Sequence, residues 1–308
     1  MTSTPRLSRS RAATVLFLAA LLTAALAAGA ASGASSSKSK PKIAYLSFAV
    51  ANSYDAPMLA AAKAVAKSQG ASVVVFDAAN DPKKQLAQLK TAITSKQYDG
   101  IIVQPIFGPQ LIPTITQAVK SGLKVVNIDQ ILGANPGTAA PPVKGLSGNV
   151  VFVQTDIGKK QGGLVNRACA ALQANPCKVG YLYSVKVSSL DTAIRKGFDQ
   201  VTKGHGVDVV SEGETFYNPA NALKAAQTML QAQPDLHVIV GADQGATGAQ
   251  QALGGKKVTL IGYGGGGVGL KAVKTGKGCG GIDVLKGLPN GGVVTRANAS
   301  KFKAEWPG

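Results

Sequence analysis

Two short stretches gather the side chains in this sequence best fitted to hold a small polar molecule. One is Ser47-Phe48-Ala-Val-Ala-Asn52-Ser53-Tyr54-Asp55 and the other is Asn127-Ile128-Asp129-Gln130. Aromatic faces cover C–H surfaces while carboxylate and amide groups exchange hydrogen bonds with hydroxyls, so Asn52, Tyr54, Asp55, Asp129 and Gln130 together suit a sugar or polyol. Each also has a structural alternative: Tyr54 as a hydrophobic staple at a helix start, Asp55 as the N-cap of that helix.

Other chemistries find little support. The sequence has no G-x-S-x-G, H-E-x-x-H or Walker A run, and its two histidines, His205 and His237, stand alone, so neither hydrolysis nor a metal centre is indicated. Gly262-Tyr-Gly264-Gly-Gly-Gly267, with Asp283 downstream, formally matches the dinucleotide motif G-x-G-x-x-G. It follows the last strong strand instead of opening a βαβ series, and Gly278-Cys-Gly-Gly-Ile before Asp283 has little strand character. A Gly-rich turn in the wall of a cleft is the better reading, with no cofactor and no enzymatic activity. Cys169 and Cys177, seven residues apart without CxxC spacing, read as a local disulfide in an oxidising compartment; Cys279 is left over.

An address precedes these groups. Arg6, Arg9 and Arg11 lead into an apolar run, Ala12 to Ala28, that ends at Ala28-Gly29-Ala30, the layout of a secretory signal over residues 1–30. The run is short and Ala-rich for a membrane anchor, which is the alternative. Without residues 1–30 the chain keeps 30 basic against 15 acidic residues. For an exported chain this is a solvated basic surface or an attraction to acidic polymers, with no nucleic-acid partner.

Positioning those groups falls to an alternating series of short apolar strands and helical segments, the signature of parallel α/β architecture. After a Ser/Lys-rich leader (31–41), strands are expected at 43–48, 73–76, 100–103 and 124–128, with helices at 56–68, 82–95 and 109–120. A Gly/Pro/Ala-rich connection, 131–148, separates these from a second series. Its strands are expected at 150–154, 179–183, 207–210, 237–241 and 258–262, and its helices at 157–172, 190–202, 219–231, 244–253 and 268–274. The result is two doubly wound parallel-sheet lobes joined by hinge strands, 42–149 and 150–279, with a tail at 280–308. The site belongs in the cleft that faces the carboxyl ends of both sheets.

The sequence resembles the ribose-binding type of the type I periplasmic solute-binding proteins, from Lys42 to Thr275. The resemblance is carried by the opening strand and its Asn-aromatic loop, Phe76-Asp-Ala-Ala-Asn80-Asp-Pro82, the strand-four Asp129, Thr155-Asp156, Gly197-Phe198, Ile261-Gly262-Tyr263 and the tail Val294 to Trp306. It implies an exported receptor that closes on a small ligand, a sugar or polyol, and hands it to an ABC transporter permease, its only tie to the membrane. A ligand-sensing module, or a degenerate relative that no longer binds sugar, is the alternative. The resemblance adds Tyr217 as a stacking ring, Asp243 and Arg195 to the ligand-binding set. It also exposes departures. Gln130 replaces an Arg, Ala242 an Asn and Gly264 an Asp, and Arg195 lies one position off the family's place. A strand-and-helix segment that crosses back to the first lobe is missing after Cys279. Two crossings between lobes, an uncovered part of the first sheet, and 282–294 docked as a makeshift hinge element are expected.

Overall fold

The computed structural model describes residues 40–276, 280–283, 292–304 and 306. The signal-like segment 1–30 and Cys279 lie outside the described residues. Strands β1 (Lys42–Ser47), β2 (Ser72–Asp77), β3 (Gly100–Val103), β4 (Lys124–Asp129) and β5 (Gly148–Val151) form a parallel sheet in the order β2-β1-β3-β4-β5. Because β1 pairs with both β2 and β3, successive connections leave it in opposite directions and open a crevice at the carboxyl ends of the strands. Helices α1 (Asp55–Ser68), α2 (Pro82–Thr94) and α3 (Gly108–Lys120) connect the strands. The Asp81 carboxylate accepts from the N–H groups of Lys83 and Lys84 to cap α2, and Pro82 supplies a first turn that needs no N–H.

A second sheet, in the order β11-β10-β9-β8-β6-β7, contains β6 (Cys177–Tyr183), β7 (Val207–Glu214), β8 (Val238–Val240), β9 (Thr259–Gly264), β10 (Gly280–Asp283) and β11 (Val293–Val294). Its pairs are parallel except β10 with β11. Helices α4 (Gln154–Ala171), α5 (Ser189–Thr202), α6 (Pro219–Ala232), α7 (Asp243–Ala252) and α8 (Gly267–Lys274) flank it. Both faces of this sheet are packed. One core contains Val179, Ile194, Phe198, Val240 and Ile261, and the other Leu182, Met229, Ile239 and Leu260. Helices α4 and α5 approach closely where Gly158 and Gly197 meet: a Cβ at Gly158 would overlap the carbonyl oxygen of Ile194. Cys169, near the end of α4, and Cys177, which opens β6, form a disulfide, in accord with their spacing.

Three local expectations are corrected. The strand expected at 150–154 as the first of the second lobe is β5, which pairs Val150 with Ile128 and Val151 with Asp129. The long connection therefore returns to the edge of β4 before the chain crosses, and the expected boundary at 149/150 falls inside a strand of the first sheet. The stretch before Asp283 is strand β10 despite its glycines, because the exposed edge of β9 supplies backbone partners that require no side chains. Residues 293–294 pair with β10 at the margin of the second sheet, and residues 284–291 of the expected hinge element lie outside the described residues. Among the described residues the chain thus passes between the sheets once, between Val151 and Gln154.

The first sheet is covered unevenly. Leu46, Leu89, Ile101, Val103, Leu111, Ile115 and Val125 pack one face. On the other, Ile102, Val126 and Ile128 are only partly buried, Val150 is 70% exposed, and α1 fully buries just Asp55 and Leu59. A groove runs there between Met58 and Ala61 of α1 and Ile128, Val150 and Phe152. Among the described residues this face is thinly covered.

Candidate ligand-binding cleft

The floor of the cleft comes from residues just past the strand ends of the first sheet. Gln104, one residue beyond β3, donates from a single amide nitrogen to two carboxylates, Asp55 Oδ1 at 2.6 Å and Asp129 Oδ2 at 2.9 Å. Its own Oε1 accepts from the Phe48 N–H at 3.2 Å. Gln85 fixes this strand end by donating to the Gln104 carbonyl and accepting from the Ile106 N–H, each at 2.8 Å. Asp55 Oδ2 also accepts from the Ala49 N–H, and the Tyr54 hydroxyl donates to Asp129 Oδ1, both at 3.2 Å.

Burial sets the electrostatics of this group. Loss of water pushes the Asp55 carboxyl up to about 7, against the pull of the Gln104 amide. It also raises Asp129, again opposed by Gln104, and it raises the Tyr54 phenol, which Asp129 raises further. Asp129 stands at φ +67°, in the left-handed region, with Gln130 N–H donating to the Ile128 carbonyl at 2.7 Å across it. This backbone, uncommon for a residue other than Gly, aims the carboxylate into the cleft at a conformational cost that the tight turn absorbs.

The second lobe supplies mainly rings. Tyr217 (φ +55°) meets Phe48 edge-on with centroids 5.9 Å apart, and Tyr263 contacts Ser184 through its hydroxyl at 3.3 Å. Trp306 stands edge-on to Tyr54 with centroids 5.4 Å apart and donates from its indole N–H to the Gly264 carbonyl at 3.2 Å. At both lips the lobes touch. Gln244 donates to Ser53 Oγ at 3.1 Å, while on the far side Gly108 N–H donates to Ser189 Oγ at 3.1 Å and Ser189 N–H to the Ile106 carbonyl at 3.0 Å. The cavity between these walls is about 50 Å3, room for a few water molecules.

Of the residues read from the sequence, Asn52, Tyr54, Asp55, Asp129, Gln130 and Tyr217 line this one cavity. Two lie apart from it. Arg195 points away along α5, where its Nε donates to Asp199 and its Nη1 donates to both the Tyr183 hydroxyl and the Glu212 carboxylate. These carboxylates hold it on the outer edge of the second lobe. Asp243 begins α7 with its side chain turned under the glycine-rich turn, where it accepts from Gly266 N–H at 2.8 Å. A Cβ at Gly269 would lie 2.7 Å from that carboxylate, so the glycines make room for Asp243. The formal dinucleotide motif thus has a carboxylate at the start of α8, where a bound pyrophosphate would otherwise receive the helix N–H groups. Asp55 is the first residue of α1, but it makes its bonds to Ala49 and Gln104 and does not act as the cap.

Sequence reasoning missed Gln104, Phe152, Gln244 and Trp306, which also line the cavity. Gln104 follows the rule applied to Asp129, a polar residue at a strand's carboxyl end, and Gln244 sits one residue from Asp243. For Phe152 the misplaced β5 hid the signal.

The sequence profile described as the periplasmic binding protein domain matches residues 43–284, which include both sheets up to β10 and every cavity residue but Trp306. The chain belongs to this family. It is a family of binding proteins, and the chain is not an enzyme. Among curated relatives, the ribose import binding protein RbsB of Haemophilus influenzae is 26% identical over 211 residues, 68% of either chain. The Escherichia coli protein of the same name is 25% identical over 243 residues, 78% of this chain and 77% of its own. Among solved structures, a periplasmic solute-binding protein from Actinobacillus succinogenes with bound D-allose superposes with a TM-score of 0.66 at 23% identity, covering 85% of this chain and all of that one. A carbohydrate transporter solute-binding protein from Agrobacterium radiobacter in complex with D-arabinose gives 0.68 at 20% identity, covering 86% and 97%. These superpositions establish the fold.

Proposed function

We propose that this chain is an exported solute receptor that closes its lobes on a small polyhydroxylated ligand, a sugar or polyol, and presents the closed form to an ABC transporter permease. The observation that carries this reading is the convergence of carboxylates, amides and aromatic rings from both lobes on one cleft at the carboxyl ends of two parallel sheets. The relatives named above for ribose, and the solved structures with allose and arabinose, support the ligand class and the transport role.

The mechanism is differential contact. A ligand held between Asp129 and Gln130 on one side and Tyr217 and Tyr263 on the other gains full contact only when the lobes meet, so it shifts the population toward the closed arrangement. The cavity of about 50 Å3 is too small for a sugar, so the lobes must part to admit one. The test is to purify the protein without denaturation, identify retained small molecules by mass spectrometry, and follow the radius of gyration by X-ray scattering as each candidate is added. Compaction with a sugar or polyol is the expected result; absence of any retained solute and of any compaction across a broad sugar and polyol panel overturns the proposal.

A further inference from the structure

The lining of the cleft is unbalanced in charge. Among the described residues that face the cavity there is no Lys, Arg or His, yet Asp55 and Asp129 are 1% and 8% exposed. Their partners are neutral: one Gln104 amide nitrogen shared by both, the Tyr54 hydroxyl and the Ala49 N–H. A third acceptor stands beside them. Gln130 is 2% exposed, its side chain is hydrogen-bonded to Asp129, and its Oε1 is buried without a hydrogen-bond partner. The remaining walls are largely aromatic, with Tyr54, Phe152, Tyr217, Tyr263 and Trp306 among them.

Such a lining asks for a donor that also carries positive charge. Hydroxyl groups of a neutral polyol can donate to the same oxygens, but they bring no counter-charge that would offset ionisation of these buried carboxyls, where an unpaired charge is costly. An ammonium supplies the charge and three N–H donors at once, and the negative faces of the rings attract a cation. A basic side chain in the lining would do the same task from within the protein, and among the described residues the lining has none. The excess of basic residues over the rest of the chain makes this acid-only pocket a local feature.

Building on the solute-binding reading above, we infer that the ligand is cationic: a sugar or polyol that bears a protonated amine, with its ammonium seated among Asp55, Asp129 and Gln130 Oε1. The raised Asp55 and Asp129 carboxyls fit this assignment, since an arriving ammonium supplies the partner that holds them ionised.

Isothermal titration with D-glucosamine, D-galactosamine and D-mannosamine, each against its neutral parent hexose, tests the inference at neutral pH. At least one amine should bind about tenfold or more tightly than its parent, a difference of about 1.4 kcal/mol. Asp129→Asn should remove most of that preference. Gln130→Lys, which places a fixed cation beside the carboxylates, should abolish amine binding without lowering the melting temperature. A neutral parent that binds as tightly as its amine overturns the inference and leaves the solute-binding reading intact. An amine preference that survives both substitutions overturns the proposed seat. Silence of all six sugars also overturns the inference, and the retained-solute measurement then decides the broader reading separately: a retained neutral polyol preserves it, and no retained solute with no compaction removes both.

Discussion

Gln244, on the second helix position of α7, reaches across the cleft and donates from Nε2 to Ser53 Oγ of the first lobe at 3.1 Å, close enough to Asn52 to offer a second, longer contact at 3.4 Å. This bond joins the two lobes directly. Gln244→Ala should therefore enlarge the radius of gyration of the ligand-free protein in solution scattering and weaken ligand binding several-fold. An unchanged scattering profile would assign closure to the opposite lip, at Ser189 and Gly108.

Asp129 tests the floor of the cleft. Asn keeps the shape and tolerates the left-handed backbone at this position, so Asp129→Asn should fold normally. Affinity for the cognate ligand should fall at least about tenfold, about 1.4 kcal/mol, as read by calorimetry, while the melting temperature holds or rises because a buried charge is gone.

Stability should depend on pH through the buried carboxyls. Folded Asp55 keeps its proton up to about 7, whereas an unfolded aspartate loses it near 3.8. In that window the folded state binds more protons, so stability falls as pH rises through it. Asp191, raised to about 6 by burial, and Asp129 act with the same sign. Melting curves of the ligand-free protein across this window should show the decline, and Asp55→Asn should flatten it. A melting temperature that climbs with pH would contradict the assignment.

The disulfide is open to direct counting. Alkylation before reduction should label at most Cys279, and all three cysteines after it, by intact mass.

The crossing of α4 and α5 offers a packing test away from the cleft. Gly158→Ala would force a methyl group against the Ile194 carbonyl and the backbone of Phe198. The cost of such overpacking is about 1–3 kcal/mol, visible as a lower denaturation midpoint. Gly163→Ala, on the same helix but facing open space, should cost nothing and serves as the control.

The alternation of apolar strands and helical segments was legible because strand cores such as Gly100–Val103 and caps such as Asp81-Pro82 carry local signals. Polar residues at strand ends pointed to Asn52, Asp55 and Asp129 for the same reason. What the sequence did not disclose was set by tertiary contact. Val150-Val151 reads as a strand in either lobe, and only pairing with Ile128 and Asp129 assigns it to the first. Gly280-Gly281 lacks strand propensity and is recruited by the edge of β9. Arg195 was placed by its position in the chain, but the acidic groups within its reach, Asp199 and Glu212, direct it outward. Trp306 lies in a tail whose partners are all distant in sequence, so no local pattern announces it.

Helix α1 begins at the cleft floor with Asp55 and, one turn later, presents Met58 and Ala61 to the groove on the thinly covered face of the first sheet. Tyr54, Asp129 and Phe152 border both spaces. A small polarity-sensitive fluorophore attached to a cysteine at position 61 would lie outside the ligand's path yet on the same helix as its acidic anchor. The bare groove thus offers a ready mounting point for turning this receptor into an optical sensor, with solute capture on one side of a helix converted into a change of emission on the other.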